Sequence, residues 1–80
     1  MAAKATQADW EERASRFLKA ELKRADVTYE ELAKRLEKHG FKGETKASIA
    51  SKLARGTFAA TFLFACLAAL ELEGVRLEDL

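Results

Sequence analysis

The sequence of 80 residues contains no proline, one cysteine and one histidine. Without proline, no segment carries a residue that would break a helix in its interior. The single cysteine, Cys66, rules out an internal disulfide, and one cysteine with one histidine cannot supply the ligand set of a zinc site. A chain of this length is near the lower limit for a single stable core, so packing or a partner must supply its stability.

We also expect neither a membrane span nor a secretory signal. The most apolar stretch, residues 57–74, is interrupted by Glu71 and Glu73 before it reaches the ~20 apolar residues that a span needs. The first ten residues, MAAKATQADW, contain no apolar signal region, and a free thiol suits a reducing compartment. We therefore expect a cytoplasmic protein that does not contact membranes.

Apolar residues at helical spacing predict an all-α fold of four helices, near residues 9–24, 28–39, 45–55 and 57–72. Asp9, Thr28, Thr45 and Thr57 are the expected N-caps, and Gly74 is expected to end the last helix in a left-handed turn. A short helical turn after Gly74 should place Val75, Leu77 and Leu80 on the core. Residues 1–8 are expected to be disordered, and residues 9–80 to form one domain.

The helix at 57–72 has an apolar residue on each of its faces. One half of the helical wheel holds Phe58, Phe62, Leu63, Cys66, Leu67, Ala69 and Leu70, which we assign to the core. On the other half, Ala60, Phe64 and Ala68 are four residues apart, with the large residue between two small ones. This spacing suits the close approach of another helix, which is either the first helix of the chain or a partner.

Positive charge is concentrated in the middle of the chain, although the net charge is only +1. Residues 34–55 carry a net charge of +5, whereas residues 1–33 carry −1 and residues 56–80 carry −3. A solvated surface explains many such clusters, but local basicity can also direct a chain to an anionic partner.

The segments VTYEELAKRL, ASIASKLARG, CLAAL and VRLEDL occur in an order that resembles the Cro and lambda-repressor-like helix-turn-helix domains, over residues 27–80. The resemblance implies that the second helix braces against the phosphate backbone and the third enters the major groove. Tyr29 then takes the position of a phosphate contact, and Ala33 that of the small residue of the second helix. Ile49 lies sixteen residues after Ala33, farther than in that family, so the turn should be wider.

The third helix carries the residues that this resemblance places toward DNA. Ile49, Ala50 and Leu53 should face the core, while Ala47, Ser48, Ser51, Lys52 and Arg55 face outward, with Lys46 in the first turn. From Trp10 onward the chain also resembles a bacterial family of small uncharacterised domains that share the segments VTYEELA and SIA-KL-RG. That second resemblance implies no activity.

Two functions follow as expectations. The first is a DNA-binding, transcriptional regulator-like module that uses mainly phosphate contacts, because no residue of the third helix offers an obvious bidentate pair to a base edge. The expected DNA-binding residues are Lys38, Lys42, Lys46, Ser48, Ser51, Lys52 and Arg55. The alternative is a protein-interaction or dimerisation module, including a homodimer, that uses Ala60, Phe64 and Ala68.

An enzyme is the class that the sequence argues against. Cys66 lies in the middle of an apolar helix, and its nearest titratable neighbours along the chain are glutamates. The sequence contains no glycine-rich phosphate loop and no paired metal-ligand motif. We read His39 as a residue of a helix C-terminus rather than as a base or a ligand. We therefore expect no cofactor, no metal and no small-molecule substrate.

Overall fold

The computed structural model describes residues 6–80, which form four α-helices and one C-terminal 3-10 turn, with no strand. The α-helices are α1 (Gln7–Ala25), α2 (Tyr29–Glu37), α3 (Lys46–Arg55) and α4 (Ala60–Ala69), and the C-terminal turn is Leu77–Asp79. The predicted all-α class, with four helices and a short helical turn at the end, is therefore confirmed. None of these helices is both long and apolar enough to cross a membrane.

Helix α1 begins earlier than the sequence predicts, because Thr6 and not Asp9 is its N-cap. The Thr6 hydroxyl accepts a hydrogen bond from the Asp9 amide at 3.2 Å, and the Asp9 carboxylate accepts one from the Thr6 amide at 2.9 Å. Asp9 is thus the acidic partner of the capping box rather than its first residue. Residues 7 and 8, expected to be disordered, belong to the helix, and residues 1–5 of that expected segment lie outside the described residues.

Both predicted ends of the last helix are wrong. Residues 57–59 are not helical, so Thr57 does not cap α4, and Ala59 at the N-cap makes no side-chain hydrogen bond. At the other end the left-handed residue is Glu71, with φ of 60°, and not Gly74.

A hydrophobic contact explains why α4 ends where it does. The amide of Leu72 donates to the carbonyl of Leu67 at 2.9 Å, which turns the chain back so that Leu72 packs against the core. The same backbone hydrogen bond closes two other helices. The amide of Val27 donates to the carbonyl of Leu22 at the end of α1, and the amide of Phe41 donates to the carbonyl of Leu36 at the end of α2. In all three cases the two bonded residues are apolar, so burial of the pair fixes the end of the helix even where no glycine is present.

The core cluster contains eleven buried side chains, which come from all four helices, from the connection after α1 and from Leu70, the C-cap of α4. Fully or almost fully buried residues at its centre are Leu18, Leu32, Leu36, Ile49, Leu53, Phe62 and Cys66. Phe41, in the connection between α2 and α3, is half-buried against the core, with its ring edge-to-face against Phe62 at 6.3 Å.

Helix α1 crosses α3 at very short range. The hydroxyl of Ser15, which is buried, donates to the carbonyl of Leu53. Beyond the end of α3, Gly56 lies so close to α1 that a Cβ atom there would be 2.4 Å from the carbonyl oxygen of Glu11. Gly56 also has φ of 69°, so this position needs glycine both for its backbone conformation and for its contact. Helix α2 packs against α3 and α4, and Arg35 donates to the carbonyl of Ala69 at 3.1 Å.

Candidate nucleic-acid interface

The outward face of α3 consists of Ala47, Ala50, Ser51, Ala54 and Arg55, all of which are exposed. Ile49 and Leu53 are buried, as the sequence predicts. Ala50 was expected to face inward and is instead exposed, whereas Ser48 and Lys52 were expected to face outward and are half-buried. The buried face of the helix is therefore rotated away from Ala50 and toward Ser48 and Lys52, compared with the predicted face. Only the two large apolar residues, Ile49 and Leu53, are fully buried in the core.

The Ser48 hydroxyl is committed to the start of α3. It accepts a hydrogen bond from the Thr45 amide at 2.8 Å and donates one to Oε1 of Glu44 at 2.7 Å. The Ser48 amide in turn donates to the Thr45 hydroxyl at 3.0 Å. Thr45 is the predicted cap, and Ser48 completes a reciprocal capping box with it. The hydroxyl thus stabilises the helix terminus instead of pointing freely into solvent.

The ammonium group of Lys52 is held by Glu44. Its Nζ lies 3.0 Å from Oε1 and 2.9 Å from Oε2 of that carboxylate, and 5.2 Å from the centre of the Phe62 ring. The Lys52 side chain is 27% exposed and that of Glu44 only 12%. Burial opposes ionisation of Glu44, but hydrogen bonds from Ser48 and Lys52 outweigh it and lower the pKa of that carboxyl.

Four other predicted contacts are exposed cations. Lys38 and Lys42 lie in the connection of residues 38–45, Lys46 is the first residue of α3, and Arg55 is its last. Among residues 6–80, none of the ion pairs involves any of these four side chains. Arg55 donates a hydrogen bond to the hydroxyl of Ser51, so these two exposed residues lie side by side on the last turns of α3.

The outer face of α4 is uncovered. Ala60, Phe64 and Ala68 are exposed, and the Phe64 side chain is 64% exposed, so α1 does not cover it. Phe64 borders an apolar groove of about 540 Å³ between α1, α4 and the C-terminal segment, which is residues 72–80. Val75 and Leu80 are half-buried, but Leu77, expected on the core, is 74% exposed on the rim of this groove. A turn with only three helical residues buries too little surface to draw all three apolar side chains inward.

Sequence reasoning missed a group of arginines at the opposite side of the same groove. They line a second hollow of about 470 Å³ between α1 and the C-terminal segment, and they are Arg13, Arg16, Arg24 and Arg76. Summing charge over residues 1–33 hides three of them, because acidic residues of the same segment cancel them, including Glu12 and Glu21 beside the arginines. The helical spacing of Arg13, Arg16 and Arg24 was the signal that was available.

The residues capable of covalent or metal chemistry include Cys66, which is a free and buried cysteine. Burial raises the pKa of the Cys66 thiol to about 12, and the charge of nearby Glu44 adds to the shift. Among the described residues, no three His, Cys, Asp or Glu side chains are grouped so that they could hold a metal ion. His39 follows α2 in an exposed turn, just beyond the helix in which it was expected.

A protein-family model described as a domain of unknown function, DUF6471, matches residues 10–75. Searches of curated proteins and of solved structures each found no match.

Proposed function

We propose that this chain, which belongs to the family of the domain of unknown function DUF6471, is a DNA-binding module of the helix-turn-helix kind. The observation that carries the proposal is the set of exposed cations around α3, namely Lys38, Lys42, Lys46 and Arg55. They belong to the part of the sequence with the largest net positive charge, and they have no carboxylate partner among the described residues. Cations in this state are available to neutralise phosphates.

The exposed face of α3 supports close approach to a duplex. Ala47, Ala50 and Ala54 are small, so they leave the backbone of the helix near whatever it lies against. Ser51 is the one exposed hydroxyl on that face, and it can donate to or accept from several base edges. The contacts to phosphate therefore outnumber those to bases, and we propose binding of weak to moderate affinity with little sequence discrimination.

The test is a titration with random-sequence duplex DNA at low salt, followed by amide chemical shifts. We expect shifts in residues 38–55 and a log–log salt slope of about −3 to −4, since four phosphate contacts each release about 0.9 of a counterion. Lys23→Ala on α1 is the control for alanine substitutions of the surface lysines, such as Lys46→Ala. It should leave the salt slope unchanged, because Lys23 is exposed but lies outside the proposed surface. A titration that leaves the amides of α3 unperturbed at low salt would exclude this function.

A second function is favoured by the exposure of Phe64. A large aromatic side chain that is 64% exposed beside an apolar groove is the usual mark of a protein-interaction surface. We propose that the face formed by Ala60, Phe64 and Ala68 binds another protein chain. The two functions use different parts of the molecule, so one chain can have both.

Phe64→Ser separates the two functions. It should abolish association through the α4 face and leave the DNA salt slope unchanged, because Phe64 is not in the basic segment. Since Phe64 is exposed, the variant should unfold at the same denaturant concentration as the wild type. A large loss of stability would instead identify Phe64 as a core residue and exclude the second function.

A further inference from the structure

The arginine-lined hollow and the apolar groove are two halves of one surface. Phe17 of α1 and Leu72, Val75 and Leu80 of the C-terminal segment line both. On one side of this shared floor the rim is apolar, with Phe64 and Leu77. On the other side four guanidinium groups surround the hollow, against the carboxylates of Glu21 and Asp79. The surface is thus apolar along one side and cationic along the other.

Two of the arginines are held only by weak, exposed contacts. Arg16 lies 3.6 Å from Glu12 and Arg76 lies 3.1 Å from Glu78, and all four of these side chains are more than 60% exposed. Exposed ion pairs of this kind contribute little, so Arg16 and Arg76 can exchange their partners at small cost. Arg13 is half-buried, with its guanidinium over the Trp10 ring at 5.0 Å from the ring centre. Arg24 differs, since it is bound at 2.8 Å to the buried carboxylate of Glu21.

We propose that this surface is the docking site for an acidic amphipathic helix of a partner protein. Apolar residues at positions i, i+4 and i+7 of such a helix fill the groove beside Phe64 and Leu77. Its flanking carboxylates then reach Arg13, Arg16 and Arg76, whose planar donor groups suit bidentate binding of carboxylate. The inference rests on the second function proposed above and specifies the chemistry of its partner.

A second copy of the chain is the wrong occupant for this surface. In a two-fold dimer both chains present this same surface, which has an apolar side and a cationic side but no acidic side to complement the arginines. Duplex DNA also fits poorly, because phosphates would cover the arginines while Phe64 and Leu77 were left against a polar backbone. An acidic amphipathic helix is complementary to both halves at once.

The test uses two synthetic helical peptides of about 18 residues, long enough to span the surface at ~1.5 Å per residue. Both carry leucines at the same helical spacing, and one has glutamates on its flanks where the other has lysines. Binding to the full chain is followed by anisotropy of the labelled peptide at physiological salt, where distant charges are screened. The acidic peptide should bind at least about tenfold more tightly than the basic one.

The charge-reversal variant Arg16→Glu with Arg76→Glu should invert this preference, so that the basic peptide binds more tightly. Both side chains are exposed and neither touches the core, so the variant should keep its circular dichroism spectrum. Lys19→Glu with Lys23→Glu is the matched control, which changes the same net charge on exposed positions of α1 and should keep the preference for the acidic peptide. Phe64→Ser with Leu77→Ser should abolish binding of both peptides.

Four outcomes would overturn the proposal. These are equal binding of the two peptides, no saturable binding of either, an unchanged preference in the Arg16 and Arg76 variant, and a dimer of the wild-type chain by sedimentation that the Phe64 and Leu77 variant abolishes. If the Phe64 and Leu77 variant loses peptide binding while the arginine variant changes nothing, the partner is apolar rather than acidic, and only the present inference fails. A loss of duplex DNA binding in the arginine variant would assign these residues to nucleic acid instead.

Discussion

The Nζ of Lys52 and the Oε2 of Glu44 are 2.9 Å apart, so a carboxylate holds one of the cations that the sequence predicts to contact DNA. The pair removes one cation from the set of free charges, since Lys52 donates to both oxygens of the carboxylate. It also joins the connection before α3 to the middle of α3, and it covers the ring of Phe62. Lys46, six residues earlier, has no such partner among the described residues, so the two lysines should respond differently to substitution.

Lys46→Ala should flatten the DNA salt slope by about one unit and leave the free energy of unfolding unchanged. Lys52→Ala should leave the slope unchanged but lower the free energy of unfolding by about 1–3 kcal/mol, because a half-buried carboxylate loses its partner. The sequence alone predicts a change of about two units for removal of both lysines, whereas the structure predicts about one. Salt-dependent titrations and urea unfolding of the two single variants and the double variant measure both quantities.

The Glu44 pair should make the fold sensitive to acid. The folded-state pKa of Glu44 lies below its ordinary value of 4.5, so its stabilising contribution is complete above pH 4.5. As the pH falls below that value the unfolded chain takes up a proton first, and the contribution is lost as the pH passes through the lowered folded-state pKa. Glu44→Gln should therefore flatten the decline of stability below pH 4.5, measured by urea unfolding over a series of pH values. Lys52→Met should also flatten it, and an unaltered decline in both variants would contradict the role of the pair.

The four glycines should rank clearly by their tolerance of alanine. Gly56→Ala should cost more than the ~1–2 kcal/mol of a left-handed residue, because its Cβ would also meet the backbone of α1. Gly40→Ala should cost only the conformational strain, since φ is 89° but no atom lies within 4 Å. Gly43→Ala and Gly74→Ala are the controls, with open space and no positive φ, and should raise the free energy of unfolding by about 0.4–1 kcal/mol, because alanine restricts the unfolded chain. Thermal unfolding of the four variants tests the order, and a Gly56 variant no less stable than the Gly40 variant would refute the close crossing of α1 and α3.

Cys66 should be inert until the chain unfolds. Its thiol is fully buried and has a pKa of about 12, so almost none of it is thiolate near neutral pH. An aromatic disulfide reagent at about pH 8 should label the native chain at the rate of unfolding and the urea-unfolded chain at once. Fast labelling of the native chain, at the rate of a free thiol, would show that the core around Cys66 is open.

The sequence by itself determined the helices and the main core. Large apolar side chains such as Leu32, Leu36, Ile49 and Leu53 recur at helical spacing, and burying them leaves little choice of which face turns inward. The same pattern placed Phe64 on the outer half of α4, because the other half already held enough apolar surface to be buried. These are properties of one helix at a time, and local periodicity is enough to predict them.

Only the tertiary structure decided which polar side chains remain free. Lys52 and Ser48 look like surface residues on a helical wheel, but Glu44, which precedes α3, captures both. Arg76 joins three arginines of α1 only because the C-terminal segment folds back against that helix, more than fifty residues away along the chain. The end of α4 at Ala69, with the left-handed Glu71 after it, likewise depends on the packing of Leu72 against the core. In each case a weak local preference is overridden by a contact with a residue outside the helix concerned, and no periodicity within a single helix encodes that contact.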